Sequence, residues 1–305
     1  MEFNADLIHD LAQRKVVLFL GAGVSASAIT NTGVKFKQWK EFLLHGANLT
    51  ENQEKIELIN KLLNNNDYLF ASELLKTWHG DEWNQILENE FKQLAQPSNL
   101  HHEIINLDQR IILTTNFDSL LEESWDKIFV GAKSKTHHPK VINVIDENSF
   151  KLFRDDKDYI IKIHGDVSNI PGIVFDTSSY HKNSYGNTYY TELLNSLLLT
   201  HTFLFIGFSM ADPAIALIIE KYAHRFPASR PHYIFTTSEI TNEEKDLWKK
   251  LRKLYIIKYS SENNHQELID GLNNLNKSVI KRKSELIAST HLRTLIDHEA
   301  EAEQP

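Results

Sequence analysis

Short runs of consecutive apolar residues recur along the chain, and most are rich in β-branched or aromatic side chains. Runs of this kind, bounded by polar or glycine-containing turns, predict strands that are buried on both faces of a sheet. The first run, Val16 to Leu20, follows the charged pair Arg14 and Lys15. The predicted strands are residues 16–20, 111–114, 141–145, 159–163, 173–175, 203–206, 232–235 and 255–257.

Stretches with the apolar spacing of helices separate many of these predicted strands. Residues 189–199 and 243–251 have this spacing, and Asp212 followed by Pro213 predicts the start of another helix. Strands that alternate with helices indicate an α/β fold. We therefore predict a Rossmann-like, mostly parallel sheet with helices on both faces.

A long helical stretch lies between the first two predicted strands. Trp39, Phe42 and Leu43 share one helix face, and apolar residues around Trp83 share another. No strand-like run interrupts the pattern. It predicts an all-helical insert over about residues 36–105.

The last part of the chain is rich in charge. We assign residues 1–276 to one domain and residues 277–305 to a charged helical tail, which is basic first (residues 281–283) and acidic last (Glu299, Glu301 and Glu303). Such charge indicates either a solvated helix or a surface that docks onto a partner.

The first predicted strand ends in a glycine-rich turn, Gly21-Ala22-Gly23-Val24-Ser25. Such a turn between a strand and a helix is where α/β sheets bind nucleotide phosphates. Gly21 permits the tight turn, and Gly23 leaves the backbone open to a pyrophosphate. A glycine after a strand is also often only a turn, so this motif alone leaves both interpretations open.

Polar residues follow three further predicted strands. They form the motifs Thr115-Asn116-Phe117-Asp118, His164-Gly165-Asp166 and Gly207-Phe208-Ser209. The carboxyl ends of parallel strands share one edge of a sheet, and open α/β sheets bind their ligands there. Taken singly, Asn116 and Asp118 also suit helix caps, and His164 also suits a structural hydrogen bond.

Composition excludes several kinds of chemistry. The chain of 305 residues has no cysteine, which excludes disulfides, cysteine-ligated zinc and a thiol nucleophile. The formal net charge is −8, so direct nucleic-acid binding is not expected. The paired histidines at positions 101–102 and 137–138 lack further ligands, so no metal site is predicted. We see no signal peptide and no run long enough to span a membrane, which favours a cytoplasmic protein.

In their order and spacing, the four strand-end motifs resemble the catalytic core of sirtuins. More closely, they resemble the bacterial sirtuin-like NAD-cleaving family of antiphage defence, over about residues 14–260. Deacylating sirtuins carry a four-cysteine zinc module and a Gly-Ile-Pro-Asp-Phe-Arg segment. This chain lacks the cysteines, and its residues 32–39 lack the Asp and the Arg. Both differences favour hydrolysis of NAD⁺ over acyl-lysine chemistry.

The resemblance implies an NAD⁺ glycohydrolase that releases nicotinamide and ADP-ribose, or a cyclic form of it. Asn116 would orient a water molecule or a ribose hydroxyl, and His164 would act as general base. Asp118 would steady the loop or the ribose. The residues predicted to bind NAD⁺ are Gly21, Ala22, Gly23 and Ser25 at the pyrophosphate, and Gly207 and Ser209 near the adenosine. NAD⁺ is the substrate, and no other cofactor and no zinc are expected.

The same resemblance implies an effector that depletes NAD⁺ upon infection. We expect a homo-oligomer controlled by a partner, with a HerA-type ATPase preferred over a short Argonaute. Two alternatives come from other classes: a non-catalytic sensor of NAD⁺ or ADP-ribose, and a DNA-acting subunit of a defence complex. The pair Asn116 and His164 counts against the sensor, and the negative charge counts against the DNA-acting subunit.

Overall fold

The computed structural model describes residues 1–31, 33–237 and 239–302, with side chains as far as residue 290. Within these ranges, the strands form a seven-stranded sheet and a two-stranded antiparallel hairpin. In chain order the strands are β1 Val16–Leu20, β2 Ile29–Thr30, β3 Ala95–Gln96, β4 Ile111–Thr114, β5 Lys140–Ile142, β6 Tyr159–Lys162, β7 Thr202–Ile206, β8 His232–Thr236 and β9 Leu254–Lys258. The order in the large sheet is β5-β6-β4-β1-β7-β8-β9, and all neighbouring pairs are parallel.

Helices cover both faces of this sheet. They are α1 Ala5–Ala12, α2 Ala22–Ser25, α3 Trp39–Asn48, α4 Gln53–Asn64, α5 Tyr68–His79, α6 Glu82–Phe91, α7 Asn99–Asn106, α8 Leu120–Trp125, α9 Thr177–Tyr180, α10 Thr188–Thr200, α11 Pro213–Arg225, α12 Asn242–Arg252 and α13 Glu262–Ala302. Shorter 3₁₀ or π turns span Asp126–Val130, Glu147–Phe153, Val167–Gly172 and His181–Tyr185. The predicted Rossmann-like α/β fold is confirmed.

The central position of β1 in the sheet explains why its sequence is apolar throughout. All of its residues are buried. Val16, Leu18 and Leu20 belong to a core with α1, α7, α8 and α13, whereas Val17 and Phe19 belong to a core with α10 and α11. Side chains alternate between the faces of a strand, and helices cover both faces here. Burial of each such side chain contributes about 1.5–3 kcal/mol.

Helices α3–α6 form the predicted helical insert. Its apolar core contains Phe42 and Trp83, and it also takes in Phe175 from the sheet domain, at ring-centroid distances of 5.4 and 6.5 Å. At the base of the insert, Ala95 and Gln96 pair with β2. No strand was predicted there, because two residues are too few to show a period.

The predicted strand at residues 173–175 is wrong, because this segment is an irregular loop. Its apolar residues are buried against the insert and the cleft rather than in the sheet; Ile173 and Phe175 belong to the core of the insert. The backbone N–H of Val174 donates to the carbonyl oxygen of His164 at 2.8 Å. Hydrophobic burial without strand pairing produced the same apolar pattern as a strand.

Helix α13 packs its first half onto the sheet domain. A left-handed turn at residues 263–265 precedes its regular part, and Leu268, Leu272, Leu275 and Val279 are buried beside α1 and α7. Residue 277 lies inside this helix, and the division into a domain and a tail stays a prediction; Glu303 lies outside the described residues. Neither α13 nor any other helix of the described chain combines the length and apolarity that crossing a bilayer requires.

Buried histidines make the stability of the fold depend on pH. Burial lowers the pKa of His232 to about 4, and burial likewise lowers the pKa of His101 to about 4. In the unfolded chain a histidine has a pKa of about 6.5. Between these two values the unfolded state binds protons that the folded state does not. The free energy of unfolding therefore falls as the pH decreases from about 6.5 to about 4, by about 1 kcal/mol per pH unit for each such histidine.

Urea unfolding at several pH values tests this expectation with His232→Asn. The Oδ1 of asparagine can accept the bond that Phe203 N–H now donates to His232 Nδ1 at 3.1 Å, and asparagine does not titrate. We expect the variant to lose part of the decline in stability below about pH 6.5. An identical pH dependence in both proteins would show that His232 does not contribute.

Candidate active site

A cleft of about 750 Å³ opens at the carboxyl edge of the sheet. Its floor comes from the ends of β1, β4, β6, β7 and β8, and the insert supplies one wall. Strands β4, β5 and β6 follow β1 in the sequence and lie on one side of it, whereas β7, β8 and β9 lie on the other side. A topological switch point therefore lies between β1 and β7. Ligands of open α/β sheets bind at this location.

The cleft brings together residues from all four strand-end motifs. The predicted site residues that line it are Ala22, Gly23, Ser25, Asn116, Asp118, His164, Gly207 and Ser209. Gly21 lies behind the lining, and its carbonyl oxygen accepts a hydrogen bond from Asn116 Nδ2 at 3.0 Å. The roles of these residues toward a ligand stay predictions.

The glycines after β1 and β7 pack against each other. The N–H of Gly23 donates to the carbonyl oxygen of Gly207 at 3.0 Å. A Cβ atom on Gly21 would lie 2.4 Å from that same oxygen, and a Cβ atom on Gly207 would lie 2.7 Å from the nitrogen of Val24. Gly207 also has a φ of +63°, which favours glycine. Close packing of the two loops therefore requires glycine at these positions, a reason that the sequence alone had not indicated.

Gly21→Ala is expected to lower the free energy of unfolding by about 2–4 kcal/mol, because its Cβ meets rigid backbone. Gly46→Ala is the matched control, since Gly46 lies inside helix α3 and the nearest atoms to a Cβ there are side-chain carbons at 3.4 Å. The control should change the free energy of unfolding by less than about 1 kcal/mol. Urea unfolding followed by circular dichroism measures both. Equal losses in the two variants would contradict the steric explanation.

Asn116 is buried at the end of β4 and is not a helix cap. Its Nδ2 donates to Gly21, and its backbone N–H donates to Thr114 Oγ1 at 3.0 Å. No donor of the described residues is hydrogen-bonded to its Oδ1. This oxygen is therefore available to accept a hydrogen bond from a water molecule or a sugar hydroxyl.

Asp118 ties two loops of the cleft together. One carboxylate oxygen accepts from Ser25 Oγ at 2.5 Å, and the other accepts from the backbone N–H of Leu120 at the start of α8, at 3.1 Å. Both the capping interpretation and the loop-steadying interpretation of Asp118 thus have a contact in the structure.

A buried lysine beneath the cleft was missed by sequence reasoning. The side chain of Lys162 is fully buried, and its Nζ donates to the carbonyl oxygen of Asp118 at 2.7 Å. It also forms ion pairs with Glu122, at 2.6 Å, and with Asp166. Burial opposes its charge, but Glu122 and Asp166 outweigh burial and raise the pKa of Lys162. The only sequence signal was a lysine inside the apolar run at residues 159–163.

His164 lies at the end of β6 in contact with two buried side chains. Its Nε2 is 3.1 Å from Asp212 Oδ2 and 3.3 Å from the hydroxyl oxygen of Tyr180. Asp212 also caps α11, as expected from the sequence, because its Oδ1 accepts from the backbone N–H groups of Ala214 and Ile215. Asp212 therefore does more than start the predicted helix, because its Oδ2 also contacts His164 and Tyr180. Tyr180 lies in none of the strand-end motifs, so nothing in the sequence distinguished it as a site residue.

The insert supplies an aromatic wall to the cleft. Trp39 stacks on Tyr68 with ring centroids 5.3 Å apart. The aromatic residues that line this side are Phe36, Trp39, Tyr68, Phe91, Phe117 and Phe175. Such a wall excludes water and offers flat surfaces to a planar heteroaromatic ring.

The paired histidines of the sequence are engaged in other contacts. His101 Nδ1 lies 2.9 Å from Ser98 Oγ at the cap of α7, and His102 Nδ1 lies 2.9 Å from Ser124 Oγ. His137 Nε2 lies 2.9 Å from Asp158 Oδ2, and His138 Nδ1 lies 2.6 Å from Asp126 Oδ1. Within the part of the chain that the structure describes, no three His, Asp or Glu side chains are grouped to hold a metal ion.

Comparisons with known proteins agree with the fold and the cleft. Residues 110–257 match the family described as the SIR2-like domain. The chain is 26% identical over 232 residues to "NAD(+) hydrolase ThsA" of Cytobacillus dafuensis, covering 75% of this chain and 42% of that protein. It is 27% identical over 224 residues to the protein of the same name from Enterococcus faecium, covering 71% and 42%.

A further similarity is to "Defense-associated sirtuin 2" of Bacillus subtilis, at 23% identity over 243 residues, covering 75% of this chain and 22% of that protein. The chain thus spans less than half the length of these curated relatives. The resemblance predicted from the strand-end motifs is confirmed at the level of SIR2-like proteins that include NAD(+) hydrolases and a defence-associated sirtuin.

Proposed function

We propose that this chain hydrolyses NAD⁺ to nicotinamide and ADP-ribose. The observation that carries the proposal is the placement of Asn116 and His164, from two different strands, in one cleft beside the paired glycine loops. The similarity to proteins named NAD(+) hydrolase supports the same reaction.

The reaction breaks the bond between the ribose C1′ and the nicotinamide nitrogen. Both electrons of this bond go to the pyridinium nitrogen, so nicotinamide leaves as a neutral molecule and positive charge develops on the ribose. Oδ1 of Asn116 orients the attacking water or a ribose hydroxyl, and His164 removes the proton of the water as its oxygen bonds to C1′. The aromatic wall limits the access of bulk water to the cleft.

The remaining cleft residues would hold the other parts of NAD⁺. Ala22, Gly23 and Ser25 lie where the pyrophosphate would pass, with Gly21 shaping the turn behind them. The loop that begins with Gly207 and Ser209 would face the adenosine half. Asp118 holds Ser25 and would steady this arrangement. NAD⁺ is the ligand of the proposed reaction, and no zinc is required.

The biological role that we propose is depletion of NAD⁺ as an antiphage effector in the cytoplasm. The similarity to a protein named as a defence-associated sirtuin supports this role. Control would come from assembly into a homo-oligomer and from a partner, for which we prefer a HerA-type ATPase over a short Argonaute. Direct contact with nucleic acid is not part of the proposal.

Incubation of the purified protein with NAD⁺ tests the reaction, with nicotinamide followed by chromatography. The protein is assayed alone and with the product of its neighbouring gene, each with and without EDTA. Release that persists in EDTA supports the proposal. Binding of NAD⁺ without release in every condition would instead identify a sensor, and loss of release in EDTA would contradict a metal-free reaction.

A further inference from the structure

We propose that Asp212 holds the hydrogen of His164 on Nε2, with Tyr180 directing its own hydrogen to Asp212, so that Nδ1 is the nitrogen that accepts the proton in the cleft. Both are positioning residues, since they act through the histidine. The inference rests on the proposed NAD⁺ hydrolysis for its catalytic meaning, although the position of the hydrogen can be measured without it.

The carboxylate of Asp212 is held in a fixed orientation. Its Oδ1 accepts from the backbone N–H groups of Ala214, at 2.9 Å, and Ile215, at 3.0 Å. Its Oδ2 is thereby directed to Tyr180, whose hydroxyl lies at 2.8 Å, and to His164 Nε2 at 3.1 Å. All three side chains of this group are buried. The helix start thus determines where the imidazole finds its acceptor.

The protonation of the two partners determines which atoms carry hydrogen. Burial raises the pKa of Tyr180 well above its ordinary value, and the charge of Asp212 raises it further, so the phenol keeps its hydrogen. Burial opposes the charge of Asp212, but the contact with His164 outweighs it and lowers the pKa of this carboxyl group. Asp212 therefore stays an acceptor at neutral pH, and the single hydrogen of Tyr180 points to it.

Both atoms that face Nε2 are consequently acceptors. Asp212 Oδ2 has no hydrogen, and the hydroxyl oxygen of Tyr180 has already directed its hydrogen to Asp212. An imidazole nitrogen between two acceptors carries the N–H. The neutral ring then has its lone pair on Nδ1, and no group of the described residues is hydrogen-bonded to that atom.

This assignment fixes the proton transfer in the proposed reaction. Nδ1 takes a proton from the attacking water while the oxygen of that water bonds to C1′ and the bond to nicotinamide breaks. The imidazolium that forms is stabilised by the charge of Asp212 across the Nε2–H, and it returns its proton to solvent. A histidine with the opposite tautomer would present an N–H to the water and could not act as a base.

Nitrogen-15 spectra of the imidazole rings test the assignment at about pH 8, where an ordinary histidine is neutral. His164→Gln identifies the signals of His164 among those of the 15 histidines. We expect Nε2 to carry the hydrogen in the wild type. In Asp212→Asn the amide can still cap α11 while its NH₂ group faces Nε2, so the hydrogen should move to Nδ1. Nicotinamide release should fall by about 100-fold or more.

Two further variants separate this effect from a loss of folding. Asp10→Asn makes the same chemical change at a buried aspartate that accepts from Thr202 Oγ1 at 2.6 Å, at the start of β7 and therefore at the opposite edge of the sheet from His164. It should keep the hydrogen on Nε2. Tyr180→Phe removes only the hydroxyl, leaves Asp212 as acceptor, and should also keep it there.

The outcomes distinguish this inference from the proposed function. A wild-type protein that shows the hydrogen on Nε2, moved in Asp212→Asn, supports the inference even if no nicotinamide is released. A hydrogen on Nδ1 in the wild type, or an unchanged tautomer in Asp212→Asn, overturns it even if NAD⁺ is hydrolysed.

Discussion

Replacement of His164 by alanine is expected to lower the rate of nicotinamide release by about 100- to 10,000-fold, the contribution of a general base. The side chain lines the cleft, and its Nε2 is engaged by Asp212 and Tyr180. Without the imidazole, a water molecule must attack the ribose with no acceptor for its proton. Chromatography of nicotinamide at saturating NAD⁺ measures the loss.

A second histidine provides the control for this experiment. His138 lies on the surface, outside the cleft, and contacts Asp126. His138→Ala should therefore release nicotinamide at the wild-type rate. Asn116→Ala should lose activity as His164→Ala does, because it removes the Oδ1 that would orient the water. Retention of more than about one tenth of the wild-type rate in His164→Ala would contradict the role of His164 as general base.

Replacement of Lys162 by methionine is expected to lower the free energy of unfolding by about 3–5 kcal/mol. The methionine fills similar space but leaves Glu122 and Asp166 without their buried cation. It also removes the donor to the carbonyl oxygen of Asp118. A buried charge that loses its partner keeps its desolvation cost, and this is the source of the large effect. Urea unfolding of both proteins measures the difference.

An exposed ion pair supplies the comparison. Lys92 pairs with Glu88 one turn away on α6, and both side chains are well exposed. Lys92→Met should change the free energy of unfolding by less than about 0.5 kcal/mol, since water and salt screen such pairs. Combining Lys162→Met with Glu122→Gln and Asp166→Asn should recover part of the stability. If Lys162→Met alone lowered the free energy of unfolding by less than about 1 kcal/mol, the ion pairs of Lys162 with Glu122 and Asp166 would not be what stabilises this part of the fold.

Strands were predicted well where burial and pairing coincide. Residues 16–20 and 111–114 were assigned with the observed bounds, because a parallel strand covered by helices on both faces needs an apolar residue at every position. The strand predicted at residues 173–175 does not form, because the side chains of this segment are buried against the insert without any strand pairing. The local sequence indicates whether a segment is buried, whereas strand pairing depends on which other segment lies beside it in the fold.

The sequence by itself determined the class of the fold and the edge of the sheet at which polar residues gather. Parallel strands place their carboxyl ends together, so motifs far apart in the chain, such as those at Asn116 and His164, were expected at one edge. Tertiary structure alone decided which side chains touch. The contacts of Asp212 and Tyr180 with His164, and of Lys162 with Glu122, depend on the order of the strands and the start of α11. Hydrogen bonds act over about 3 Å, and only the folded chain fixes positions that closely.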